Sequence, residues 1–129
     1  MTNEAINPKE VHTPLGGAYT HAFKSGNTIY TAGQVALDKN GELVGKEDIS
    51  AQAEQVFANL QHVLTAAGAS MKNVVKLNIY LTIQADFPKV RKVRQRYFTG
   101  NLPAATGVFV PALANPDFLI EVDAIAVIS

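Results

Sequence analysis

A chain of 129 residues, 47% apolar and 17% charged, can bury the core of one domain and is too short for two ordinary ones. Eleven basic residues offset eleven acidic ones, so no net field recruits nucleic acid or an anionic membrane. The lack of cysteine excludes disulfides, thiolate metal sites and cysteine nucleophiles together.

Residues 1–13 contain Pro8 and little periodic hydrophobicity, which predicts a loose N-terminal arm on a single domain spanning residues 1–129. No stretch approaches the roughly 18 apolar residues of a membrane span, and Met1–Ala5 lacks the basic-then-apolar order of a signal peptide. A cytoplasmic location is the default expectation. From Ala18 to Tyr30 the pattern fits two short strands around Ser25-Gly26-Asn27, where Gly26-Asn27 can supply the positive φ of a tight hairpin. The segment Thr31 to Leu37 follows, and Asp38-Lys39-Asn40-Gly41 signals another turn.

A helix is predicted from about Ser50 to Ala67. Its residues Ala53, Val56, Phe57, Leu60, Val63, Leu64 and Ala67 fall on one stripe of a 3.6-residue period. Asp48 or Ser50 can cap its start, and Gly68 suits a left-handed C-terminal position. Val74 to Thr82 is rich in β-branched residues and reads as a buried strand. A second helix begins near Asp86, a candidate N-cap, with Pro88 in its first turn; it buries Val90, Val93 and Tyr97 or Phe98 and ends at Gly100-Asn101. Two last strands are expected near Thr106–Val110 and Phe118–Ile128, joined by a loop from Pro111 to Pro116. This order implies an α+β fold, a mixed sheet with two helices packed on one face.

Three places can carry chemistry. Gly33-Gln34 ends a strand, where a glycine lets a ligand approach the backbone and exposes an amide to an oxygen; a bulge or bend in an edge strand explains it as well, and composition alone favours that. Glu121 sits in the apolar run Phe118-Leu119-Ile120-Glu121-Val122-Asp123-Ala124. Such surroundings raise a carboxyl pKa and suit it to holding a proton near neutral pH. The competing explanation is that Glu121 and Asp123 mark the solvent face of a half-buried strand. The basic run Lys89, Arg91, Lys92, Arg94 and Arg96 has no aromatic platform or nucleic-acid motif beside it, and a solvated helix face is favoured over an RNA-binding one. His12, His21 and His62 show no metal-ligand spacing, and phosphate loops, nucleophile elbows and zinc signatures are absent.

From Ala18 to the C-terminus the chain resembles the Rid family, also called YjgF. The resemblance is carried by Tyr19-Thr20-His21-Ala22, Gly26-Asn27, Thr31-Ala32-Gly33-Gln34, Gln52, Asn59-Leu60, Ala66-Ala67-Gly68, Asp86-Phe87, Tyr97-Phe98, Leu102-Pro103-Ala104 and Ile120 to Ala126. No one of these is specific; their order and spacing are. The resemblance implies a chorismate-mutase-like α+β fold, a homotrimer whose sheets form a central barrel, and clefts between subunits. In the deaminating members those clefts hydrolyse enamines and imines such as 2-aminoacrylate, with no metal or organic cofactor.

Carried over, Tyr19 lines the cleft, the Gly33 amide contacts substrate, and Glu121 positions water or shuttles a proton. Thr106 belongs to the same substrate-binding segment. This chain departs from the pattern at Ala105, where the deaminases place the arginine that grips the substrate carboxylate. Ala32 replaces a serine, Arg91 a helix asparagine, Arg94 a tyrosine, and Gly107 a small polar or cysteine position. The implied function is therefore hydrolysis of an enamine or imine other than 2-aminoacrylate by a homotrimer with an intersubunit small-molecule pocket. If its ligand is a carboxylate, Arg91 or Arg94 could reach it from the helix side; the competing reading, that both point into water, is somewhat favoured because three other basic residues share the helix. A non-catalytic ligand-binding or regulatory trimer is the alternative, and an RNA-directed endoribonuclease ranks third.

Overall fold

The computed structural model describes residues 2–129. Six strands, β1 (Asn3–Ile6), β2 (Ala22–Ser25), β3 (Thr28–Thr31), β4 (Val74–Leu81), β5 (Ala104–Phe109) and β6 (Ile120–Val127), form one sheet in the order β1-β2-β3-β6-β4-β5. All neighbours are antiparallel except β4 and β5. Two helices, α1 (Ile49–Ala66) and α2 (Phe87–Tyr97), pack against this mixed sheet. No helix among the described residues is long and apolar enough to cross a membrane.

The predicted loose arm is largely ordered. Asn3–Ile6 pairs with β2, from Asn3↔Ser25 to Ile6↔Ala22, and Ile6, Val11 and His12 are buried. Main-chain pairing at a sheet edge needs no hydrophobic period, so four residues can add a strand that pattern reading misses. Met1, also part of that predicted arm, lies outside the described residues. The hairpin between β2 and β3 turns on Gly26 and Asn27, with Ser25 opposite Thr28; Gly26 alone takes the positive φ, at 59°.

Helix α1 matches its predicted stripe. Ala53, Val56, Phe57, Leu60, Val63 and Leu64 are all fully buried. Asp48 caps it, its carboxylate accepting from the Ala51 amide at 3.1 Å, and Gly68 takes φ 85° just past its end. Asp86 does not cap α2 with its side chain: it is already helical at φ −79°, ψ −13°, at the end of a 3-10 turn over Gln84–Asp86 that winds straight into the helix. Phe98 rather than Tyr97 enters the core, edge-on to Phe57 at 6.0 Å. Tyr97 stacks on Phe57 at 5.6 Å and donates its hydroxyl to Glu54 Oε1 at 2.7 Å. Burial and then that bond push the Tyr97 pKa up to about 12.

The last strand alternates strictly. Ile120, Val122, Ala124 and Ala126 are buried in the core with the helices, while Glu121, Asp123 and Ile125 are half-buried on the other face. Loops outside the ladder are tied down by amides from α1. Gln52 is fully buried; its Nε2 donates to the Gly45 and Asp117 carbonyls at 3.0 and 2.9 Å, and its Oε1 accepts from the Leu119 amide at 2.8 Å. Asn59 donates to the Val35 and Leu37 carbonyls at 3.0 and 2.9 Å.

Gln52→Ala leaves three main-chain groups without partners where water has little access. It is expected to lower the unfolding free energy by about 2–4 kcal/mol, read from urea denaturation. A loss below about 0.5 kcal/mol would show that water replaces the amide without cost.

Candidate functional site

Strand β3 stops at Thr31 because the next two residues swing away from β6. The chain rejoins β6 at Gln34, whose amide donates to the Val122 carbonyl at 2.7 Å and whose carbonyl accepts from the Val122 amide at 3.1 Å. This bend lies in the middle of the sheet rather than at an edge. It places Gly33 against the side chain of Glu121: a Cβ added to Gly33 would run into that carboxylate, standing 2.6 Å from its Cδ and 2.9 Å from its Cγ. Close approach, rather than a positive φ, distinguishes this glycine: a side chain here would have to displace the Glu121 carboxylate from its present position.

Tyr19, Gly33 and Glu121 open into one cleft of about 390 Å³, with Leu15, Ala32 and Phe118 among its apolar walls. Burial and then the negative charge of Asp123, two residues along the same face, push the Glu121 carboxyl above the ordinary carboxylate range. Asp123 is itself held by Asn78, whose Nδ2 donates to Oδ1 at 2.8 Å. A carboxyl whose proton affinity is raised is better suited to donate to, as well as accept from, a substrate.

The other predicted site residues lie elsewhere in the single chain. Ala105 and Thr106 are on the exposed strand β5, opposite Leu77 and Asn78 of β4, and the Thr106 hydroxyl accepts from Lys76 Nζ at 2.7 Å. Gly107 faces a second hollow of about 420 Å³ with Leu81, Phe87, Val108 and Phe109. Arg91 and Arg94 share a third, of about 210 Å³, with Gln95, Phe98 and Leu102. The expectation that one of these guanidinium groups reaches the cleft of Tyr19, Gly33 and Glu121 is not met within one chain, because α2 packs against α1, away from that cleft. Arg91 lies over the Phe87 ring, 4.9 Å from its centre, and Phe87 in turn lines the hollow of Gly107. Arg96 is paired with Glu54 of α1.

Pattern reading finds no relation between His12 and His21, yet their rings meet at 4.8 Å and are buried. They lie nine positions apart in the chain, and no local period announces the contact. Among the described residues no cluster of three or more His, Cys, Asp or Glu side chains is arranged to hold a metal ion.

Residues 11–128 match the model of the Endoribonuclease L-PSP family. The chain is 36% identical over 126 residues to the 3-aminoacrylate deaminase RutC of Acinetobacter baylyi, covering 98% of both proteins. It is 34% identical over 128 residues to a 2-iminobutanoate/2-iminopropanoate deaminase of Dermatophagoides farinae, covering 95% of this chain and 99% of that protein. The crystal structure of RidA from an Antarctic Psychrobacter species matches with a TM-score of 0.90 at 36% identity, covering 97% of this chain and 99% of that one.

Because the native Glu121 carboxyl holds its proton more tightly than the unfolded chain does, its contribution to stability is complete below the ordinary carboxylate range. That contribution is lost as pH rises through the native value. Glu121→Gln is therefore expected to melt at or above the wild-type temperature at neutral pH, the gap closing in acid. Calorimetry across pH reads this, and a Glu121→Gln protein that melts lower at neutral pH would contradict the assignment.

Proposed function

This chain belongs to the Endoribonuclease L-PSP family, the Rid or YjgF proteins, and from that premise we propose that it hydrolyses a reactive enamine or imine bearing a carboxylate. One observation carries the reading: the half-buried carboxyl of Glu121 lies against the backbone at Gly33, with Tyr19 in the same cleft. Water adds to the carbon of the C=N bond, and the resulting carbinolamine collapses to a C=O group and ammonia. An enamine first takes a proton on carbon and becomes the iminium ion, the protonated imine, which the water then attacks. Glu121 delivers that proton and orients the water, the Gly33 amide steadies the substrate's polar group, and Tyr19 closes the wall. An imine is electrophilic enough that the reading calls on no metal or organic cofactor.

The working site in this proposal is shared between copies of a chain that acts as one domain throughout. Phe23, Tyr30 and Ile125 form an apolar row across β2, β3 and β6 on the face without helices, where Phe23 is 43% and Tyr30 51% exposed. Strand β5 is exposed along its whole length. A homotrimer covers both and brings the hollow of Gly107 and Phe87, with Arg91 over the Phe87 ring, beside the cleft of Glu121 in a neighbour. Arg91 then answers the substrate carboxylate in place of the arginine that the family resemblance puts at position 105. The absence of a guanidinium at Ala105 favours a second reading, a trimer that binds its ligand without turning it over.

Light scattering is expected to give three times the 13.8 kDa chain mass. Freshly generated 2-iminobutanoate or 3-aminoacrylate should release ammonia faster than in buffer, with 2-aminoacrylate slower and accelerated by Ala105→Arg. Glu121→Gln should keep the mass and cut turnover by roughly 10²–10⁴. Buffer rates on all three substrates by an intact trimer would leave the binding protein standing in place of the enzyme.

A further inference from the structure

His12 and His21 stand behind the segment that carries Gly33, and the groups around His21 define where its hydrogens are. His21 Nε2 lies 2.7 Å from the His12 carbonyl oxygen. A carbonyl only accepts, so Nε2 carries the hydrogen. Gln34 Nε2 lies 3.1 Å from His21 Nδ1 and donates to the Ala32 carbonyl at 3.3 Å. That carbonyl also only accepts, which orients the Gln34 amide with its NH₂ toward both groups and leaves His21 Nδ1 presenting its lone pair. His21 is thereby held as the Nε2–H tautomer, bonded at both ring nitrogens.

The main chain closes the brace. The His21 amide donates to Asn7 Oδ1 at 2.9 Å, and the His21 carbonyl accepts from the Ala32 amide at 2.8 Å. Gln34 is paired in both directions with Val122, the residue after Glu121. Gly33 therefore hangs between two residues that His21 holds directly, one by its carbonyl and one by its ring. The His12 ring plays a different part. Both its nitrogens are buried without a partner among the described residues, and burial, then His21, lowers its basicity, so it packs edge-on to His21 as a neutral wall.

We propose that His21 is a positioning residue: through Gln34 it holds the Gly33 amide and the Glu121 carboxyl in the relative placement that the cleft's chemistry uses, without touching substrate. This rests on the hydrolytic reading above for its consequence in catalysis, but the geometric link can be measured with no substrate at all. Misplacing a reacting group by about 1 Å costs up to 100-fold in rate, so a brace acting through one side chain has room for a large effect.

The test uses the full chain. Long-range proton–nitrogen correlation spectra of the wild-type protein should show His21 with its hydrogen on Nε2; a hydrogen on Nδ1 instead would overturn the proposal, and this holds even if the substituted proteins do not fold. In His21→Ala the Gly33 amide resonance should move and the Glu121 carboxyl should titrate closer to the ordinary carboxylate range. His21→Gln, whose side chain again offers one donor and one acceptor, should restore both. A His21→Ala protein with wild-type Gly33 and Glu121 signals but a lower melting temperature would reduce His21 to packing. Where wild-type protein turns over an imine, His21→Ala should lower kcat roughly 10- to 100-fold with KM little changed, and unchanged kcat would also overturn the proposal. A wild-type protein inert toward every imine would count against the hydrolytic reading alone, because the resonance measurements still decide the brace.

Discussion

Strand β6 has to satisfy two neighbours at once, and the rest of the molecule follows from that. It pairs antiparallel with β3 from Thr28↔Val127 and with β4 down to Leu81↔Ile120. A strand held on both sides cannot slip by one residue without exchanging its faces, which would bury Glu121 and Asp123 and expose Ile120 and Val122. The register therefore places the helix-covered core and the half-buried carboxylates in a single step. The raised affinity of Glu121 for its proton is a by-product of that geometry: burial of its carboxyl comes first, and the alternation that buries Val122 also brings Asp123 onto the same face.

The segments that leave the sheet are held mostly by neutral side-chain amides. Gln52 bonds Gly45, Asp117 and Leu119, Asn59 bonds Val35 and Leu37, and Gln34 bonds Ala32 and His21. An amide carries donors and an acceptor without a formal charge, so it can be buried at far lower desolvation cost than a carboxylate or an ammonium group. These ties keep irregular backbone close to the cleft in one conformation, which is what a site built on loops needs if its groups are to act together. The cost falls on a few orphaned atoms, such as Gln34 Oε1.

Much of the fold was legible in the chain, and the reasons differ by element. Helix α1 repeats its apolar residues at a local period that no distant contact has to supply. The β2–β3 hairpin is announced by Gly26, whose backbone freedom is a property of the residue itself. Strand β1 was not legible, because its pairing with Ala22–Ser25 is a main-chain interaction that leaves no trace in side-chain order. Asp86 looked like a cap, yet a 3-10 turn supplies a helical approach to α2 and the aspartate side chain makes no capping hydrogen bond.

The candidate site divides along the same line. The sequence by itself determined the α+β class, the chemical identity of Glu121 and the glycine at position 33, because residue type and short-range period are intrinsic to the chain. Only the tertiary structure decided that Gly33 abuts Glu121, that Tyr19 joins them, that Arg91 lies over Phe87 in a different hollow, and that His12 and His21 pack ring to ring. Each of these depends on segments far apart in the chain meeting at a particular register and depth. Side-chain environment, and with it proton affinity and reach, is a property of that meeting and not of the residues taken one at a time.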